Sequence, residues 1–241
     1  MHSLVALLSL ILIMRVPAEG HPLPDCSQCV VVTTSSWSES RGTLSMFQRD
    51  TKSKWQKRGL TIPVVVGQQG LGYGRGIADI GDGTMPKKRE GDNKSPAGIF
   101  RLRYVFGYGA KNPGTKMPYL ALNDDIFAVD DPKSRYYNEL VDRSKTNDPD
   151  WHHAEKMILK DNRYQWGIFV EHNCPPVPGA GSCIFLHVWK TPSTATTGCT
   201  AMAAPSLVDL IRWLDPKQTP LLIQMPPSLY NEVRKKWNLP P

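Results

Sequence analysis

The sequence lacks any run of five or more consecutive basic residues and any recognisable nucleic-acid-binding motif. It nevertheless carries 29 lysines and arginines against 22 aspartates and glutamates, a net charge of +7. A dispersed positive charge attracts polyanions in general, whereas nucleic-acid binding is signalled by clustered basic residues within a known motif. We therefore exclude nucleic acid as the partner. An anionic lipid surface and an anionic cell wall remain.

A second stretch long and apolar enough to cross a membrane is also missing. The only long apolar run is LVALLSLILIM at residues 4–14, which is too short for a bilayer and typical of a signal peptide. Small residues precede a cleavage site after Ala18, with Gly20 as the alternative. We predict a signal peptide over 1–18, no membrane span after its removal, and export to the periplasm, cell wall or extracellular space. Because the first three residues include no Lys or Arg, an uncleaved anchor or a buried N-terminal helix stays open.

Cysteine is scarce, and its number is odd. Of the five cysteines, Cys26 and Cys29 form a CxxC motif, while Cys174 and Cys183 bracket a turn rich in proline and glycine. No second CxxC completes a zinc ribbon, and the residues after the first predict a strand rather than the helix of a redox motif. We expect Cys26–Cys29 and Cys174–Cys183 to be the disulfide candidates. Cys199 is then the thiol left over.

Metal-ligand patterns are absent as well. The adjacent His152 and His153 would point to opposite faces of a strand, and no carboxylate or cysteine stands at helix spacing to complete a metal-ligand set with these histidines or with His172. We predict neither a metal ion nor a cofactor.

Internal repeats and clear linkers are missing too, so a single domain over 29–228 is the simplest interpretation. The 241 residues include 21 prolines and 19 glycines, a composition that favours a β architecture with many loops over a helical bundle. Short strand-like segments between turn signals predict a mainly β sandwich or barrel with a few short helices. We expect residues 229–241 to form a C-terminal tail, either polar or a terminal helix.

Several elements are specific enough to name. We predict strands at 29–37, 43–48, 54–58, 63–66, 99–104, 167–172, 183–189 and 221–224, and a helical turn or short helix at 151–157. One clear helix follows Cys199. Its first turn contains Pro205, its apolar residues recur at helical spacing from Leu207 to Leu214, and Pro216 ends it.

One pair of residues carries most of the chemical information. The apolar strand CIFLHVW delivers His187, and after a loop the sequence TTGC delivers Cys199. A cysteine nucleophile needs a base that takes up its proton and backbone N–H groups that hold the oxyanion. We expect Cys199 to be the nucleophile, His187 the general base and acid, and the backbone around Thr197 and Gly198 the oxyanion site.

These residues and a second motif resemble a known family. TTGC resembles the SHGC signature of the L,D-transpeptidase catalytic domain, and KREGDNKSPAGIF at 88–100 resembles that family's EGD…TPxG segment. Further matches are VDDP at 129–132, YYN at 136–138 and GSCIFLH at 181–187, so that the resemblance covers roughly 60–225. The chain departs from the family at Thr197, where most members have histidine, at Ala201, where arginine is common, and in its shorter spacing from His187 to Cys199. It thus resembles a divergent branch.

The resemblance implies a fold, a reaction and a substrate. It implies a β sandwich or barrel-like fold in which Cys199 attacks the diamino acid of a peptidoglycan tetrapeptide stem, D-Ala leaves, and an amine of a neighbouring stem resolves the thioester. A backbone carbonyl is the expected group that orients His187. Trp189, Arg89, Tyr137 and Asn138 are candidate substrate contacts. The expected partner is the anionic cell wall, and the expected state is a monomer.

Two other functions fit the same residues. A secreted cysteine amidase or carboxypeptidase would form the same acyl-enzyme and pass it to water. A non-catalytic wall-binding module would instead keep Cys199 as a structural or bridged thiol. Products formed with and without an amine acceptor separate the first from transfer, and titration of the native thiols tests the second.

Overall fold

The computed structural model describes residues 26–50, 54–81, 84–108 and 112–241. The predicted signal peptide at 1–18 lies outside these ranges. Within them, no helix is both long enough and apolar enough to cross a bilayer.

The described chain is built mainly of β-strands, with two α-helices near its C-terminal end, α1 (Ala204–Trp213) and α2 (Pro227–Trp237). The strands, in chain order, are β1 (Gln28–Thr34), β2 (Arg41–Arg49), β3 (Trp55–Val65), β4 (Leu71–Tyr73), β5 (Ser95–Tyr108), β6 (Tyr119–Leu122), β7 (Ile126–Val129), β8 (Glu139–Asp142), β9 (Glu155–Lys156), β10 (Trp166–Val170), β11 (Phe185–Val188), β12 (Thr200–Met202) and β13 (Leu221–Gln224).

Most strands belong to one mixed sheet that closes on itself. Its order is β10-β11-β12-β3-β2-β1-β13-β5-β4, β6 also pairs with β5, and a direct pairing of β10 with β5 completes the ring. Strands β8, β7 and β9 form a separate small sheet. The mainly β, barrel-like fold predicted from the sequence is therefore confirmed.

The interior follows from the runs of branched apolar residues. Val30, Val31 and Val32 of β1 are buried, and β1 runs parallel to β13 with Val31 opposite Ile223. All four residues of β13 are buried, as expected for a central strand covered on both faces. The β13 bounds match the predicted 221–224.

Two local predictions were wrong. The segments predicted as separate strands at 54–58 and 63–66 form the single strand β3, whose pairing with β2 shifts register between Leu44 and Met46. Gly59, at a φ of +65°, lies in this irregular stretch. Residues 151–157 contain no helix, because the backbone N–H of His152 is bound by the Asp131 carboxylate at 2.8 Å and the chain then enters β9.

Both helices pack against the main apolar core. Helix α1 begins beside Pro205 as predicted, and Leu207, Leu210 and Ile211 are buried on one face. For the segment after 228, the structure has the helical alternative rather than a polar tail. Leu229, Tyr230, Val233 and Trp237 of α2 belong to the main apolar core, because their apolar side chains have a partner surface in the sheet.

All five cysteines are free thiols in this structure. The Cys183 Sγ lies 3.5 Å from the Val129 carbonyl, in the interior, whereas Cys174 is exposed, so the expected bridge between them is not formed. The Sγ atoms of Cys26 and Cys29 lie 3.4 Å apart, within reach of one another but as thiols.

Candidate active site

Two adjacent parallel strands bring His187 and Cys199 together. His187 lies on β11 opposite Ala201 of β12, and Leu186 lies opposite Thr200, the residue directly after the cysteine. Both side chains are largely buried and line the same small cavity. The sheet itself therefore fixes the spacing between the candidate base and nucleophile.

The imidazole of His187 is held in one orientation. Its Nδ1 donates to the Val188 carbonyl at 2.8 Å, so that the neutral ring carries its proton on Nδ1 and presents a lone pair on Nε2. The ring of Tyr164 meets it edge-on, with centroids 5.3 Å apart. Burial lowers the pKa of His187 to about 4. The group is thus an unprotonated base at neutral pH, and the backbone carbonyl that the sequence left unidentified belongs to Val188.

The thiol of Cys199 is neutral in this resting arrangement. Its Sγ accepts the Phe185 N–H at 3.3 Å and donates to the Cys183 carbonyl at 3.7 Å. Burial raises the pKa of the thiol to about 12, while the Phe185 N–H acts in the opposite direction. The thiol hydrogen is thus directed to the Cys183 carbonyl in this arrangement.

The loop that carries Cys199 is held by hydroxyl groups from two places in the chain. The Cys199 carbonyl accepts from Ser95 Oγ at 2.8 Å and from Thr196 Oγ1 at 2.6 Å. Ser95 Oγ also accepts the Gly67 N–H, and Thr196 Oγ1 accepts the Gly198 N–H. These bonds tie the nucleophile to the start of β5 and to the loop after β3.

Gly198 is needed for space rather than for an unusual backbone angle. A Cβ atom there would lie 3.3 Å from the Lys94 carbonyl oxygen and 3.5 Å from the Ile184 side chain. Because its N–H already binds Thr196, the oxyanion donors that remain candidates are the N–H groups of Thr197 and Cys199.

Cys199 lies between two cavities of different charge. One, of about 100 Å³, contains His187, Trp189, Arg163 and Lys190. The other, of about 190 Å³, contains Lys88, Glu90, Asp130 and Gly198. Glu155 lines both. A substrate bonded to Sγ would thus have a cationic wall on the histidine side and a mainly acidic wall on the other.

The acidic side is built from side chains with fixed partners. Glu90 Oε2 accepts from Ser182 Oγ at 2.8 Å and from the Tyr137 hydroxyl. Glu155 Oε2 accepts from the Tyr164 hydroxyl at 3.0 Å. Desolvation by the surrounding protein raises the pKa of the Glu155 carboxyl group, although part of the side chain is still exposed to solvent at the cavity wall.

The buried ammonium group of Lys88 completes the wall of this acidic cavity. Lys88 Nζ binds Asp92 Oδ1 at 2.6 Å and also donates to the Arg89 carbonyl. Asp92 accepts the backbone N–H groups of Arg89 and Lys94 as well, so the turn of the EGD segment is built around this one carboxylate.

The weaker sequence candidates fall in different places. Trp189 directly follows β11 and lines the same cavity as His187. Arg89 is exposed and lies outside both cavities. Tyr137 lines neither cavity, and its contact with the site is the hydrogen bond from its hydroxyl to Glu90. Asn138 is buried, donates to the carbonyls of His172 and Asn173, and accepts the Cys183 N–H, which gives it a structural role.

Sequence reasoning missed Ser95, Glu155 and Tyr164. Ser95 was within the recognised 88–100 segment, so its motif was a signal that could have identified it. Glu155 begins β9 and Tyr164 lies between β9 and β10, in a stretch with no motif, and only the folded chain brings them to the thiol.

The histidines considered for metal binding have separate partners. His153 Nδ1 lies 2.5 Å from Asp130 Oδ1, whereas His172 is buried and donates to the Ala180 carbonyl. Among the described residues, no group of three or more His, Cys, Asp and Glu side chains is arranged to hold a metal ion.

Comparison with protein families agrees with this geometry. The model of the L,D-transpeptidase catalytic domain matches residues 39–223, most of the described chain. The chain therefore belongs to the L,D-transpeptidase catalytic domain family, whose enzymes cross-link peptidoglycan. A search of curated proteins gives no match.

Proposed function

We propose that this protein is an exported cysteine acyltransferase that acts on peptidoglycan stem peptides. The observation that carries the proposal is the pairing of β11 with β12, which puts His187 and Cys199 at one cavity with the His187 Nδ1 committed to the Val188 carbonyl. This arrangement leaves Nε2 as the only imidazole nitrogen able to accept the thiol proton. The family match supports the substrate class.

In the proposed first half-reaction, Cys199 Sγ attacks the carbonyl carbon of the third stem residue while its proton passes to His187 Nε2. The N–H groups of Thr197 and Cys199 hold the oxyanion. The C–N bond to the terminal D-Ala then breaks, and His187 returns the proton to the leaving amine. The product is a thioester on Cys199 and free D-Ala.

In the second half-reaction, an amine of a neighbouring stem attacks the thioester carbonyl and passes a proton to His187. The C–S bond breaks, Sγ regains the proton, and a new amide joins the two stems. A neutral imidazole is needed at the start of both halves, and burial, which lowers the pKa of His187, keeps the ring in that form.

The experiment that tests transfer is product analysis with a disaccharide-tetrapeptide, with and without an added amine acceptor. We expect cross-linked dimer, and D-Ala released in equal amount. Tripeptide alone, in the presence of abundant acceptor, would instead assign the protein to the hydrolytic cysteine amidases. The export half of the proposal rests on the apolar run at 4–14 and is tested by the N-terminal residue of the secreted protein.

A further inference from the structure

A cavity larger than the two at Cys199 lies elsewhere on the described chain. It is a cleft of about 490 Å³ between the loop that follows β4 and the loop that follows β10. Its walls include Arg75, Lys87, Met85, Val177 and Ala180, and this volume is in the range of small-molecule and peptide sites. Nothing in the reaction described above uses it.

Two exposed cations, Arg75 and Lys87, line the cleft, and within the described part of the chain neither side chain has a hydrogen bond or an ion pair. One carboxylate, Asp79, lies in the same wall. It accepts from the Tyr73 hydroxyl at 2.5 Å, and the positive charge of Lys87 contributes to lowering its pKa. A planar guanidinium with a neighbouring ammonium is suited to a carboxylate, and Met85, Val177 and Ala180 supply apolar contacts for a short side chain.

The cleft adjoins the reacting centre through one residue. Lys88 lines both the cleft and the acidic cavity at Cys199, and its Cε lies 4.0 Å from where a Cβ of Gly198 would be. Its ammonium group is bound to Asp92 and is therefore a fixed partition between the two spaces. The cleft and the acidic cavity at Cys199 are therefore neighbours, separated by this side chain.

The direction of the reaction decides which part of the substrate lies there. The leaving amine and the attacking amine both exchange a proton with His187, so both occupy the histidine side of Cys199. The acyl part that stays bonded to Sγ must then extend to the opposite side, which is the side of Gly198, Lys88 and the cleft. In a stem peptide, the acyl part consists of the attacked diamino acid and the residues that precede it.

We propose that the Arg75–Lys87 cleft binds a free carboxylate of the acyl-donor stem, on the residue that precedes the attacked diamino acid. This inference rests on the proposed function. It assigns donor recognition to a surface separate from Cys199 and His187, and it makes the enzyme discriminate between stems with a free carboxylate and stems in which that group is amidated.

The test uses the full chain with Cys199→Ala and measures the Kd of two tetrapeptides, one with the free carboxylate at its second residue and one with that carboxylate amidated. We expect the amidated peptide to bind at least tenfold more weakly. The added double substitution Arg75→Gln/Lys87→Gln should weaken the free-carboxylate peptide by a similar factor and leave the amidated peptide nearly unchanged. The matched control is Lys54→Gln/Arg58→Gln, which removes the same charge from exposed positions on and beside β3.

Two results would overturn the inference. The first is equal affinity for both peptides, or an equal loss for both in the Arg75→Gln/Lys87→Gln protein. The second is tight, cleft-dependent binding of a glycerol-phosphate polymer while peptide binding ignores the cleft, which would assign the site to a phosphate polymer.

Failure of the proposed function is read separately, from thioester formation on the wild-type Cys199. If an adduct forms but the substitutions in the cleft do not change peptide binding, only the inference is contradicted. If no adduct forms, both are contradicted.

Discussion

At the scale of single residues, the candidate base His187 and the candidate nucleophile Cys199 are both uncharged before substrate binds. Burial holds the pKa of His187 low, at about 4, and that of Cys199 high, at about 12, so neither an imidazolium nor a thiolate is present at neutral pH. Such a thiol resists adventitious oxidation and alkylation, because the thiolate is the reactive form. Activation must come with the substrate.

The low pKa of His187 predicts the acid limit of the reaction. A base must be unprotonated to act, and a pKa lowered from 6.5 to about 4 keeps His187 neutral down to that pH. We therefore expect kcat/KM for thioester formation to stay level as the pH falls through 6.5 and to decline only near 4. A rate profile with stopped-flow mass analysis measures this, and His187→Gln should lower the plateau by roughly 10²–10⁴-fold. A decline centred at 6.5 would contradict the assigned environment of the imidazole.

Ser95 is expected to be important for both stability and rate. Its buried hydroxyl accepts from the Gly67 N–H and donates to the carbonyl of Cys199, which lies 104 residues after Ser95 in the sequence. Ser95→Ala leaves the Gly67 N–H without that acceptor, which should lower the free energy of unfolding by about 1–3 kcal/mol. Urea unfolding measures the loss, and thioester formation should slow because the loop of Cys199 loses one of its ties. Ser193→Ala, at an exposed loop hydroxyl, is the control and should leave both unchanged.

At the scale of elements, the N-terminal end of β1 has its own chemistry. Cys26 and Cys29 have Sγ atoms 3.4 Å apart, and the hydrogen bond from Cys29 lowers the pKa of the Cys26 thiol. We expect a disulfide to form between them when the chain is refolded with oxidised glutathione, which is reduced to two glutathione thiols in the process. Peptide mapping should find this pair with the loss of two hydrogens, and Cys26→Ser should abolish it. A Cys174–Cys183 linkage in the map would show that the loop before β11 rearranges.

Helix α2 is predicted to be part of the domain rather than an appendage. Leu229 is 3% exposed and packs in the core with Trp237. We expect Leu229→Ala to cost about 2–5 kcal/mol of unfolding free energy, the range for a buried leucine. Thermal or urea unfolding tests this, with Lys236→Ala on the exposed face of α2 as the control. Equal stability of the two variants would mean that the segment after 228 contributes little to the fold.

Some elements could be predicted because their determinants are local. The apolar spacing and two prolines predicted α1, and the short apolar run at 221–224 predicted β13. Elements with non-local determinants were missed or altered. The two halves of β3 are joined only because β2 lies beside them, and no local pattern announces the irregular pairing near Gly59. The polar residues 151–157 resemble a helix locally but are bound by Asp131 from another loop.

The residues of the candidate site also divide into those that the sequence could predict and those that it could not. His187 and Cys199 could be found from the sequence because a reactive pair needs particular residue types near a glycine and a strand end. Val188 could not be named as the orienting group, since a backbone carbonyl leaves no trace in residue type. Glu155, on β9 of the small sheet, and Tyr164, between β9 and β10, come to the thiol only in the folded chain.

At the scale of the whole molecule, closure of the sheet holds the two strands, β11 and β12, that position His187 and Cys199. The pairing of β10 with β5 completes the ring, and β11 and β12 lie inside it rather than at an open edge. The net charge of +7 suits an anionic wall, and the exposed Arg75 and Lys87 of the cleft contribute to it.

The central claim is that Cys199 forms an acyl-enzyme with a peptidoglycan stem. The most direct measurement is the intact mass of the wild-type protein and of Cys199→Ala after incubation with a disaccharide-tetrapeptide. The account predicts that the wild-type mass rises by that of the substrate less one D-Ala, that D-Ala is released, and that Cys199→Ala gains nothing. A folded wild-type protein that gains no mass, with a Cys199 thiol that stays unmodified, would contradict it.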